Sequence, residues 1–150
     1  MISRLARLVL PFIDHAATAP FATVVDHPPQ VDREVFTRLW EQARSVAPGE
    51  VADYERETGY AIDRQWMDDL ALRTQIVIKK SELSYLHGRV LYSTLSAYAA
   101  QSNATSINVI ETGTARGFSS LCMARALADQ GKAGKIISFD VVPNEVPTYW

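Results

Sequence analysis

Apolar positions along this chain follow helical spacing through most of its length and switch to strand-like runs near its end. Val35, Leu39 and Ala43 recur one turn apart after Asp32, a residue suited to an N-cap, with Glu34 in the first turn and Pro48-Gly49 ending the pattern. This predicts a packing helix through Ala47. The polar stretch 52–59 predicts a short helix closed by its glycine. From Asp63 a further helical pattern carries Trp66, Met67 and Leu70 into the apolar residues 75–78, and a Trp and Met stripe so spaced belongs to a core. The clearest helix is expected over 81–101, with Ser81 as cap and Leu83, Leu86, Val90, Thr94, Leu95 and Tyr98 forming one face. Tyr85, Tyr92 and Tyr98 can pack their rings there and leave their hydroxyls outward. Gly88 interrupts this helix at modest cost, which close packing against another element would explain.

The pattern changes after Ser106. Residues 107–110 form a mostly β-branched apolar run, a turn follows with Gly113, Ala115 and Gly117, and helical spacing resumes at Leu121, Ala124 and Ala128. That is strand, small-residue loop, helix. Residues 135–140 read as a second strand, reached through a turn at Gly131 and Gly134 and ending on Asp140. Such a loop offers backbone N–H groups and the positive end of a helix dipole to whatever lies above the strand. Small residues let that ligand approach the backbone. An acid at the next strand's end, here 23 residues beyond Gly117, can accept hydrogen bonds from both hydroxyls of a ribose. The unit therefore reads as nucleoside-binding, against the plain alternative of a ligand-free turn whose small residues serve packing.

Spacing bears on which nucleoside. The dinucleotide fingerprint is G-x-G-x-x-G, whereas this loop runs Glu111-x-Gly113-x-Ala115-x-Gly117. An acid at Glu111 would oppose a diphosphate and favour a cofactor bearing a cationic amino group and a sulfonium. A NAD(P)-dependent Rossmann oxidoreductase and a non-catalytic nucleoside-binding fragment both stay open as alternatives.

These residues resemble the class I S-adenosylmethionine-dependent methyltransferases, whose first motif is acid-x-Gly-x-Gly-x-Gly and whose second strand ends in an acid. Glu111, Gly113, Gly117 and Asp140 match, and Ala115 replaces the middle glycine. The wording Glu-Thr-Gly-Thr-Ala-Arg-Gly-Phe-Ser-Ser is most similar to the small-molecule and sugar O-methyltransferase branch, including the cephalosporin-hydroxylase-like group. The likeness is specific over residues 109–141, loose in the helical region before them, and absent before Tyr60. It implies an α/β protein: an N-terminal arm or linker at 1–31, a helical region at 32–104, and from 105 to 150 the first β-α-β unit of a Rossmann-like fold. Only two strands are readable before Trp150, so the sheet is expected to be incomplete and the chain alone inactive.

The same resemblance implies roles. Glu111 would face the amino-acid end of S-adenosylmethionine, and the backbone through Gly113, Thr114, Ala115, Gly117 and Phe118 would approach methionine and ribose. Asp140 would hold the ribose hydroxyls and Val141 would lie against adenine. Ser119, at the helix start, would cap the helix or reach the methionine carboxylate. No catalytic residue is assigned. His87 is weighed as a general base for a substrate hydroxyl, against the reading of an ordinary helix histidine.

Composition narrows the partners. Fifteen basic against 17 acidic residues give a net charge of −2, which supplies no electrostatic reason for a nucleic acid or membrane-surface partner. No run approaches the ~18 apolar residues of a transmembrane helix; the apolar N-terminal residues 8–13 are broken by Pro11. A single cysteine, Cys122, excludes an internal disulfide and reads as a buried small hydrophobe. No Cys/His spacing suggests a metal. The expected partner is a small-molecule acceptor and the expected compartment cytoplasmic, while homo-oligomerisation of a full-length protein stays open.

Overall fold

A computed structural model describes residues 31–78 and 83–141. The expected arm therefore lies outside the described residues except for Val31, as do Lys79, Lys80 and the proposed cap Ser81.

Among the described residues four helices precede the β-α-β unit: α1 (Arg33–Ser45), α2 (Gly49–Thr58), α3 (Arg64–Thr74) and α4 (His87–Gln101). Asp32 holds the N-cap position of α1, but its side chain makes no capping bond. Asp63 does cap α3, accepting from the Trp66 N–H at 2.7 Å. Gly59 ends α2 in the left-handed conformation, φ 79°, and its N–H bonds the Glu55 carbonyl.

The helix expected over 81–101 begins only at His87, and Leu83 to Tyr85 are not helical. Tertiary bonds override the local pattern there. The Gln75 side-chain amide donates to the Ser84 carbonyl at 2.6 Å, and Tyr85, 4% exposed, turns its hydroxyl inward to Asp68. A continuous helix would forfeit both bonds.

After α4 the chain forms β1 (Val109–Thr112), α5 (Phe118–Asp129) and β2 (Ile136–Phe139). The strands pair in parallel, Val109 opposite Ile136 and Glu111 opposite Ser138. Each strand sits slightly inside or beyond its expected span, since Ser106 and Ala133 form only an isolated bridge. Gly134 marks a close crossing: a Cβ there would lie 1.8 Å from the Ile107 carbonyl oxygen. Among the described residues the class is mixed α/β with a two-stranded parallel sheet.

Helical region and β-α-β unit share one core. Ala43, Ile62, Met67, Ala71, Ile76, Tyr85 and Tyr92 pack in one cluster with Phe118, Cys122 and Ala126 of α5. The expected Trp66, Met67 and Leu70 stripe belongs to it. α2 is tied to α4 by a buried ion pair in which the Arg89 Nε donates to Glu55 at 2.7 Å and a second guanidinium nitrogen reaches its other oxygen. Removing either partner would strand a buried charge.

α4 and α5 pack closely at Gly88. A Cβ at that position would lie 2.8 Å from Phe118 Cε1 and 2.9 Å from Cys122 Sγ, the close packing expected of the glycine, although it lies in the first turn of α4 and not in the interior of a helix over 81–101. Gly88 is the second residue of α4, so alanine gains less there than the roughly 1 kcal/mol of propensity it has over glycine in a helix interior, whereas overpacking of a filled core costs about 1–3 kcal/mol. Gly88→Ala is therefore expected to lower stability by roughly 1 kcal/mol or more in urea unfolding, the packing loss exceeding the propensity gain.

The far end of the same helix pair carries a polar group. Tyr92 donates to Asp129 at 2.8 Å, and Arg125 Nε bonds both carboxylate oxygens at 2.8 and 2.9 Å. Burial would raise the Asp129 carboxyl, but the hydrogen bonds from Arg125 and Tyr92 outweigh it and hold it below the usual carboxylate range. With the folded-state value depressed, this stabilisation is present above the unfolded carboxyl's titration and is lost as pH falls through the folded value. Asp129→Asn should be less stable than the parent at pH 7, and the gap should close as pH drops below about 4; urea unfolding across that range measures it.

Candidate functional site

The site is built where β1 hands over to α5. Gly113 continues the strand ladder, its N–H donating to the Phe139 carbonyl at 2.8 Å, and the Gly117 N–H closes the turn on the Thr114 carbonyl at 2.8 Å. Backbone angles alternate in hand: Gly113, Ala115 and Gly117 all have positive φ, at 81°, 46° and 81°. A Cβ at Gly113 or Gly117 would meet no atom within 4 Å. Those glycines answer a backbone requirement, and the space beside them is open to an incoming ligand.

Ala115 is the only non-glycine residue with positive φ among the described residues. Its N–H donates to Asp140 Oδ2 at 2.6 Å, so the acid at the end of β2 reaches across to the middle of the loop after β1. This bond links the loop's centre to the end of β2.

Glu111 is half-buried near the end of β1, on the face toward α5. Its carboxylate accepts from the hydroxyls of Ser119 and Ser120, in the first turn of α5, and from Ser138 on β2 at 2.6 Å. Ser120 and Ser138 also lie 3.3 Å apart. A negative group beside a helix N-terminus is favoured by the helix dipole.

One expectation changes here. Ser119 does not cap α5, whose N-cap is Gly117 with no side-chain bond; its hydroxyl donates to Glu111. Phe118 contributes its backbone to the loop's end, while its ring, 2% exposed, enters the core with Tyr85 at 6.4 Å and His87 at 5.1 Å between centroids.

The structure thus brings Glu111, Gly113, Thr114, Ala115, Gly117, Ser119 and Asp140 together at the carboxyl ends of two parallel strands. Val141 follows Asp140 and is 79% exposed, an apolar side chain available to a flat ligand. His87 has its Nδ1 3.0 Å from the Ser84 hydroxyl and its ring edge-on to Phe118. Cys122 is fully buried, and burial pushes its thiol up to about 12, so the reading as a packed small hydrophobe holds.

Ser120 and Ser138 were not among the sequence-derived site residues. The signal for Ser120 was present, a second hydroxyl in the first helical turn after an acid-tipped strand. That for Ser138 required the strand register, which pairs it with Glu111. Among the described residues no three His, Cys, Asp or Glu side chains group as metal ligands would. A shallow groove lined by Glu41, Arg44, Ser45, Arg64 and Asp68 shares no residue with the loop.

A left-handed conformation costs an L-residue roughly 1–2 kcal/mol, against about 0.4–1 kcal/mol of unfolded-chain entropy gained by glycine. Ala115→Gly is expected to stabilise the protein by up to about 1 kcal/mol, read from the midpoint of urea unfolding.

No family model matches this chain, and neither does any curated protein or solved structure.

Proposed function

We propose that this chain binds S-adenosylmethionine and belongs to an enzyme that methylates an oxygen of a small molecule or sugar in the cytoplasm. The observation that carries the reading is the convergence of two strand-end acids on one small-residue loop: Glu111 beneath its base and Asp140 at 2.6 Å from its Ala115 N–H. The residues fit such a cofactor. Open space beside Gly113 and Gly117 admits a ligand to the backbone, exposed Asp140 would accept from a ribose diol, and exposed Val141 would cover one adenine face. Negative charge at Glu111 and Asp140 favours a cationic cofactor over a diphosphate.

Bound S-adenosylmethionine supplies an electrophilic methyl carbon on a sulfonium. The chain's own contribution is positioning: the loop backbone and the two acids fix the cofactor so that an acceptor oxygen can meet the methyl carbon in line with sulfur. No described residue is assigned as the base that removes the acceptor's proton. No helix among the described residues is long and apolar enough to cross a membrane, which suits a reading that requires no membrane span.

Calorimetric titration with S-adenosylhomocysteine and, separately, with NAD tests the proposal. Binding of the first and no heat from the second is the expected outcome; NAD binding without response to S-adenosylhomocysteine would overturn it. Asp140→Ala should weaken the binding by about 1.5–3 kcal/mol, the worth of a hydrogen bond to a charged group.

A further inference from the structure

We propose that Glu111 serves the loop as a clamp and that Ser138 is a positioning residue of the site, acting through Glu111 without touching the ligand. The inference rests on the nucleoside-binding reading above for its consequence, though not for its geometry. A carboxylate offers about four lone-pair directions. Three are engaged by hydroxyl donors: Ser119 on one oxygen, Ser120 and Ser138 on the other.

These donors come from two elements. Ser119 and Ser120 belong to α5, which starts where the loop ends, and Ser138 belongs to β2, two residues before Asp140. Glu111 itself stands two residues before Gly113, where the loop begins. One carboxylate therefore joins the strand before the loop, the helix after it, and the strand whose terminal acid holds the loop's centre through Ala115. Bonds of this kind, with an ionised acceptor, are roughly twice as strong as neutral ones.

The consequence concerns how Glu111 affects binding. An ammonium group arriving at Glu111 must compete with three hydroxyls already seated there. The carboxylate's main effect is to fix the spacing between the loop backbone and Asp140, and Ser138 sets that spacing from the β2 side. Loss of the Ser138 hydroxyl leaves every ligand-facing group in place but loosens their arrangement.

The test uses the full chain with Ser138→Ala, Ser138→Thr, Ser120→Ala, Glu111→Gln and the Ser138→Ala/Glu111→Gln double variant. Amide hydrogen exchange is read at Gly113, Ala115 and Gly117, whose N–H groups are all bonded, with amides in the middle of α5 as the control for global folding. Ser138→Ala is expected to speed exchange at the three loop amides by about tenfold, with the α5 control unchanged and Ser138→Thr restoring protection. The double variant should exchange more slowly than the two single effects combined would give, since both changes weaken the same link: Glu111→Gln leaves only a neutral carbonyl for Ser138 to donate to. S-adenosylhomocysteine affinity should fall in Ser138→Ala and recover in Ser138→Thr.

Unchanged loop exchange in Ser138→Ala would overturn the clamp, as would additive effects in the double variant. Wild-type affinity in Ser138→Ala beside weakened binding in Glu111→Gln would overturn it as well, making Glu111 a direct ligand. If Ser138→Ala fails to fold, Ser120→Ala removes a donor from the same oxygen and must give the same loop-specific loosening for the proposal to stand. Absence of any S-adenosylhomocysteine binding by the parent chain would defeat the functional reading alone, because the exchange measurements still decide whether the clamp exists.

Discussion

Burial of Phe118 is the constraint on which the site's geometry depends. It is the first residue of α5 and the first after the loop, and its ring fills a space bounded by Tyr85, His87 and the bare backbone at Gly88. Burying a side chain of this size contributes about 1.5–3 kcal/mol, so the helix start cannot drift without a large loss. With that end fixed, the loop has only the few residues from Gly113 to Gly117 in which to turn from strand to helix. Positive φ at alternate positions is the solution the backbone takes, and small residues follow from it.

Electrostatics then ties the loop to its surroundings. Two carboxylates lie near the same loop, yet they do different work because their donors differ. Asp140 accepts from a backbone N–H in the loop itself, which fixes the loop's centre and leaves the acid at the edge of an open surface. Glu111 accepts from side-chain hydroxyls beneath the loop, which anchors both of its ends. The half-buried carboxyl of Glu111 has its hydrogen-bonding capacity met by three hydroxyls, where an unpartnered polar group would be costly.

Much of this was legible in the sequence because it depends on local pattern. The β-branched run before Gly113, the alternating small residues and the acid at 140 each carry their meaning within a few positions, and strand, loop and helix appear where that pattern puts them, with strand ends shifted by one or two residues. Gly88 was legible for the same reason: a glycine inside a strongly patterned helix asks for a neighbour, and Phe118 and Cys122 supply it. What could not be read depends on partners remote in the chain. The start of α4 was placed too early because the apolar spacing of Leu83 and Leu86 suits a helix, while Gln75 and Asp68, distant in sequence, hold Ser84 and Tyr85 otherwise. Ser138 gave no signal because its significance lies in the register that sets it opposite Glu111. Ser119 resembles a cap because helix-start serines often are, but the helix begins at Phe118 with Gly117 in the N-cap position, so Ser119 lies inside the first turn and its hydroxyl donates to Glu111.

The sheet shows how unequally its two faces contribute. Strand alternation sends Val109, Glu111, Ile136 and Ser138 toward α5 and sends Ile110, Thr112, Ile137 and Phe139 the other way. On that second face Ile110 is 73% and Phe139 59% exposed among the described residues. A two-stranded sheet has little stability of its own, so the pair must be held by its α5 face, where Ile107 and Val109 pack with Ala99 and Leu127 and where Glu111 makes its three hydroxyl contacts. The polar clamp and the apolar contacts therefore lie on one face and act in series along it, apolar packing fixing the base of β1 and hydrogen bonds fixing its tip. Because the tip is the end that carries the loop, small losses of polar contact there should be felt at the site before they are felt by the fold.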